Sequence, residues 1–191
     1  MKHPFRLFIE KYSSLSPVEW EEISVCLERE EINSGNLILE EGKVCRHLYF
    51  LESGLLRFFI NRGGEEVTKF FTEAPYLCTS QQSFSENLPA KESIEALEDS
   101  VIWRITAEDT FRLLTLPGWN LFIRKLTLEV QKFTEEILEE IQTTTAEQRY
   151  RILLEQQSSL VRRVPLKYLA SYLGIAPQSL SRIRKKMIGN S

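Results

Sequence analysis

Residues 164–187 read VPLKYLASYLGIAPQSLSRIRKKM, and no other stretch restricts what the chain can fold into as tightly. Leu166, Leu169, Ala170 and Leu173 recur at the spacing of one helix face. Gly174 ends that helix, because the left-handed conformation of a tight turn is least strained in glycine, and Ile175 follows to plug the corner. A second helix starts near Pro177, whose missing amide hydrogen costs nothing in a first turn. Leu180, Ile183 and Met187 then share its inner face. Two helices crossing steeply need a small residue where they come closest, and Ala170 stands there. The spacing predicts a helix-turn-helix.

With that inner face assigned, Gln178, Ser181, Arg182 and Lys185 form the opposite stripe. These are groups that read base edges: arginine pairs bidentately with guanine and glutamine with adenine. Ser179, Arg184 and Lys186 beside them are suited to phosphates. The charge distribution agrees. Residues 149–191 hold nine Lys and Arg against the single acid Glu155, a formal +8, whereas the whole chain stands at −3. An acidic body of −11 therefore carries a basic lobe, the asymmetry of a polyanion-binding module on a regulatory partner.

The whole chain of 191 residues is 42% hydrophobic and 27% charged, enough to bury a core and too apolar for a disordered tail. One main domain with a smaller appendage is expected from the length. Between residues 5 and 27 apolar side chains recur at helical spacings, with Ser16-Pro17 as cap and first-turn proline, predicting two short helices. From 33 to 105 the pattern changes to apolar runs of about five residues punctuated by glycine, as a compact antiparallel barrel or roll requires. Arg62-Gly63-Gly64 is its expected hairpin tip. From residue 117 to about 142 a long helix of about 39 Å is predicted. Within it Trp119, Ile123, Leu126, Val130, Phe133 and Ile137 alternate by four and three, a heptad seam through which two copies can pair, although a helix packing only on its own roll would show such a stripe too.

Several classes are disfavoured. No run approaches the roughly 20 apolar residues of a membrane span, and the first residues lead into an acidic segment, so a cytoplasmic protein without membrane contact is expected. Cys26, Cys45 and Cys78 are odd in number and lack metal-site spacing, predicting free thiols. A cupin-like metal enzyme on a similar roll would need both His3 and His47, and no Gly-x-Ser-x-Gly, P-loop or Cys-His pairing occurs. Neither catalytic residues nor a metal or cofactor are expected, and the chain reads as no enzyme.

On these residues the chain resembles the Crp/Fnr family of bacterial transcription regulators along nearly its whole length. The line GNLILEEG…LYFLESGLLRFF within residues 35–59 is similar to the family's cyclic-nucleotide-binding-type β-roll, the seam from 119 to 141 to its dimerisation helix, and Gln178-Ser179-Leu180-Ser181-Arg182 to its recognition-helix motif. Many members carry an acid where Gln178 stands, followed by residues matching Ser181 and Arg182. Exchanging an acceptor-only carboxylate for an amide changes which base pair is read.

The effector region also departs from the family. The resemblance implies a phosphate cradle of a Gly-Glu pair and, about ten residues later, an arginine followed by Ser or Thr. Residues 75–103 contain neither glycine nor arginine. Lys91-Glu92-Ser93 occupies the corresponding place, with Gln81 or Gln82 where the ribose-binding glutamate would sit and Ser83 beside them. Lysine is a point charge, and Glu92 beside it repels phosphate. A ligand other than a cyclic nucleotide, or none, is expected. The cysteines do not match the N-terminal cluster of the iron-sulfur branches. With four residues after Met187, no long β-hairpin wing is expected beyond the second helix.

The expected class is α+β: an antiparallel β-roll (double-stranded β-helix) with flanking helices over 1–116, a long dimerisation helix over 117–142, and a small helix-turn-helix domain over 143–191. The expected partners are double-stranded DNA and a second copy, with RNA polymerase and an unidentified small-molecule effector as further candidates. The competing reading is a ligand sensor or scaffold of the same fold that has lost DNA binding.

Overall fold

In a computed structural model, which describes residues 2–188 with the side chain of Ile188 excepted, the chain opens with α1 (Pro4–Ile9) and α2 (Pro17–Ser24). Ser16 closes a capping box. Its hydroxyl accepts from the Glu19 amide at 3.2 Å, and the Glu19 carboxylate accepts from the Ser16 amide at 2.8 Å.

The region expected as a roll forms β1 (Glu28–Ile32), β2 (Leu37–Leu39), β3 (His47–Ser53), β4 (Leu55–Arg62), β5 (Glu65–Glu73), β6 (Tyr76–Cys78), β7 (Ser93–Ala96) and β8 (Ser100–Thr106). They make two four-stranded sheets, in the orders β1-β8-β3-β6 and β2-β7-β4-β5. The pairs β1–β8, β3–β8, β3–β6 and β2–β7 are antiparallel. Successive strands exchange sheets except at the β4–β5 hairpin, which is the expected roll. Gly63 and Gly64, at φ 63° and 91°, form the predicted tip between β4 and β5.

Four elements carry no readable periodicity. β1 has the sequence EREEI and no apolar alternation; it is an edge strand, and Arg104 on β8 pairs with Glu28 and Glu30 at 2.9 and 3.1 Å. β6 has three residues, while α3 (Gln81–Glu86) and α7 (Ser158–Arg163) have six each. Such lengths are too short for a period to show.

After β8 come α4 (Ala107–Arg112), a 3-10 turn (Leu113–Thr115), α5 (Pro117–Thr143), α6 (Ala146–Gln156), α7, α8 (Leu166–Tyr172) and α9 (Pro177–Ile188). Residues 189–191 lie outside the described residues, so the expectation about a wing after α9 is not addressed there. The main core joins α1, the outer side of β3 and the start of α5. Phe5 stacks on Phe50 at 4.7 Å and meets Trp119 edge-on at 6.0 Å, with Phe8, Phe122 and Leu126 around them. Hydrogen bonds fix the first turn of α5: Gly118 donates to Glu19 Oε1 at 2.7 Å, and its carbonyl accepts from Ser13 Oγ at 2.8 Å.

The chain divides into two compact units. One takes in the chain up to residue 58 together with 71–132; the other comprises 59–70 and the chain from 133 onward. In the first, Gly54 joins β3 to β4 at φ 113°, and a Cβ there would collide with the Ser100 side chain and lie 2.9 Å from the Ser100 Cα. Gly54→Ala therefore adds backbone strain to a backbone clash. We expect a loss of about 3 kcal/mol, seen in thermal unfolding as a Tm lower by about 10 °C. An unchanged Tm would contradict the packing described.

Candidate nucleic-acid interface

The turn between α8 and α9 is built by backbone bonds. Gly174, at φ 70°, donates to the Ser171 carbonyl at 3.0 Å, and Ile175 donates to the Ala170 carbonyl at 3.0 Å. These paired bonds satisfy the last carbonyls of α8 and require the left-handed residue at position 174. Leu169, Ala170 and Leu173 of the first helix and Leu180 of the second are buried, the positions that spacing assigns inward; Ile183 and Met187 are half-buried. α8 is also held from outside the pair. The Ser171 hydroxyl accepts from the Thr68 amide at 2.9 Å and donates to the Glu66 carbonyl at 3.2 Å, capping the open edge of β5.

On the opposite side of α9, Gln178, Arg182 and Lys185 are exposed and Ser179 and Ser181 are half-exposed. One face thus presents an amide, two hydroxyls and two cations. Arg184 and Lys186, grouped with them from sequence, turn elsewhere. Arg184 Nε donates to the Tyr150 hydroxyl at 3.0 Å, and Lys186 Nζ lies 3.0 Å from Glu147 Oε1. Both reach α6. Arg149 also has an internal task, donating to the Thr144 carbonyl and the Leu173 carbonyl at 2.9 Å each. It closes the ends of two helices, which a count of charges does not reveal.

The expected seam of α5 is used in two ways. Trp119 and Leu126 are core residues of the first unit, Trp119 Nε1 donates to the Thr110 carbonyl at 3.2 Å, and Ile123 packs against the same core. Trp119 and Leu126 are therefore corrected from a pairing surface to an internal one, and Ile123 is half-buried beside them. Helical periodicity is blind to which partner a stripe meets. Further along, Val130 and Ile137 are half-buried, Phe133 is 46% exposed and Ile141 is 56% exposed. At 100° per residue these four fall within one narrow stripe.

Residues 29–115 match the family model of the cyclic nucleotide-binding domain. Solved structures resemble the chain over most of its length. The catabolite activator protein of Thermus thermophilus is 22% identical with a TM-score of 0.57, the match covering 93% of this chain and 85% of that one. A regulator of the Crp/Fnr family from Eubacterium rectale is 19% identical with a TM-score of 0.71, covering 92% and 85%. The chain thus carries a cyclic nucleotide-binding-type domain, and its fold is similar to that of these regulators. A CooA mutant from Carboxydothermus hydrogenoformans, 15% identical with a TM-score of 0.72 over 96% of this chain and 84% of that one, has a similar fold. No curated protein sequence matches.

In this cyclic nucleotide-binding-type roll the six residues of the expected effector region do not converge as free groups. Gln81 and Gln82 sit exposed on α3, with Gln82 bonded to Glu86 at 3.1 Å, and Lys91 is exposed. Ser83 is buried; it accepts from the Cys45 amide at 2.8 Å and donates to the Leu88 carbonyl. Glu92 accepts from the buried Ser80 hydroxyl at 2.6 Å, and Ser93 accepts from the Glu41 amide at 2.9 Å. The Glu92 carboxylate thus engages the residue that precedes α3, where a phosphate cradle would need a cation. Cys45 and Cys78 are buried and free, and burial pushes the Cys78 thiol up to about 12, leaving it protonated and unreactive. Among the described residues no three His, Cys, Asp or Glu side chains come together as a metal site needs, and no helix is long and apolar enough to cross a membrane.

Proposed function

We propose that this chain is a cytoplasmic transcription regulator, not an enzyme, which binds double-stranded DNA as a homodimer and reads an inverted repeat through α9. The observation that carries the reading is the division of α9. Its buried face is spent on α8 and α6, while Gln178, Ser181, Arg182 and Lys185 face outward on a lobe of formal charge +8. Arg182 and Gln178 are the base readers, and Ser179, Ser181 and Lys185 hold phosphates.

Residues 1–116 act as the sensor, 117–142 as the pairing helix and 143–191 as the DNA-binding domain. A second copy covers the Val130, Phe133, Ile137 and Ile141 stripe. Two α9 helices then enter successive major grooves about 34 Å apart. Dimerisation is needed because one short helix per subunit supplies little affinity alone. The effector is not a cyclic nucleotide: the cradle lacks its arginine, and Glu92 would meet the phosphate with like charge. An effector of another kind would act by tilting the paired helices, and RNA polymerase would be the downstream partner. The test is the salt dependence of duplex binding by the full chain, since phosphate contacts release counterions. Affinity falling steeply with salt supports the reading; weak, salt-insensitive binding supports a sensor that has lost DNA binding.

A further inference from the structure

α6 grips α9 from both flanks. Counted at 100° per residue around α9, Arg184 lies on one side of the inner Leu180, Ile183 and Met187 stripe and Lys186 on the other. Both reach α6, on residues one turn apart. Arg184 Nε donates to the hydroxyl of the buried Tyr150 at 3.0 Å, with its guanidinium carbon 5.6 Å from the ring centre. Lys186 Nζ lies 3.0 and 3.2 Å from the two oxygens of Glu147. A single tether would leave the helix free to roll about its axis. Two tethers on opposite flanks oppose rolling in both directions.

Roll is the coordinate that matters for reading bases, because a rotation of α9 exchanges which of Gln178, Ser181 and Arg182 points at the groove floor. We infer that Tyr150 and Glu147 are positioning residues that set the sequence preference of α9 through Arg184 and Lys186, and that neither cation contacts DNA. A second observation favours this over plain stabilisation. Arg184 Nη2 is buried without a hydrogen-bond partner, a cost that an apolar side chain at this position would avoid. What the arginine adds is a directional bond to a fixed hydroxyl. The inference rests on α9 being the DNA-reading helix.

The test uses the full-length chain, an operator selected by the wild type from randomised duplexes, and a random duplex as reference. Tyr150→Phe keeps the ring and its volume, and Glu147→Gln keeps the shape, so both variants should fold. Each is expected to lower the operator-to-random preference about fivefold, the equivalent of one hydrogen bond, with random-duplex affinity and salt slope unchanged. In DNA-free wild-type protein the Arg184 Nε–H signal in nitrogen-resolved NMR should be protected from exchange, and that protection should vanish in Tyr150→Phe. If the wild type prefers an operator and both variants keep the full preference, the positioning role alone is overturned. It is overturned as well if Arg184→Ala weakens both duplexes equally and reduces the salt slope by about 0.9, the mark of a lost phosphate contact. If the wild type prefers no duplex, the regulator reading fails and takes this role with it. The exchange data would then still show whether Tyr150 holds Arg184.

Discussion

Arg182→Ala is expected to lower affinity for the selected operator by about 10- to 100-fold and to relax the base preference at one step of each half-site. Arg182 is exposed on the outward face of α9, one helical turn beyond Gln178. A bidentate arginine–guanine pair contributes about 1–3 kcal/mol of discrimination, the range that this loss spans. Truncating an exposed side chain with no packing role should leave the Tm within about 1 °C of wild type. The check is a repeated selection with the variant. A degenerate position where the wild type shows one base supports the assignment, and an unchanged operator at unchanged affinity removes Arg182 from the readers.

Val130→Glu combined with Phe133→Glu is expected to convert dimers to monomers in sedimentation. It should also weaken operator binding by about 100-fold or more, the avidity lost when two half-sites are no longer bound together. Phe133 is 46% exposed in the single chain, so its apolar ring needs a partner more than an interior position. Two carboxylates there would be desolvated in the pair and hydrated in the monomer, which drives dissociation. The upstream residues of α5 serve as controls. Trp119 is fully buried, so Trp119→Ala should lower the Tm sharply through a core cavity instead of acting as a selective interface change. A stable dimer in the double variant would mean that the stripe is covered in another way.

Sequence made the long elements legible because their periods are long. α5 was expected over 117 to about 142 and runs Pro117–Thr143, while the α8–α9 pair has Gly174, Ala170 and Leu180 where their spacing requires them. β1 was hidden because its ladder and its Arg104 ion pairs, not an apolar alternation, hold it in place. The seam was overextended for a related reason: Trp119 and Leu126 obey the same 3-4 rhythm as Phe133, and only tertiary structure shows that the first two face α1 and β3. Charge was the least transparent signal. Arg149, Arg184 and Lys186 count equally with Arg182 in a net sum, yet the first caps helices and the other two hold α6.

The most direct measurement is the equilibrium affinity of the full chain for duplex DNA, followed from 50 to 200 mM salt. Two subunits each holding phosphate with Lys185 predict a log–log slope of about −2, with inverted repeats bound more tightly than random duplex throughout. A slope near zero, with wild type and Arg182→Ala indistinguishable, would contradict the claim that this helix is built to lie against nucleic acid.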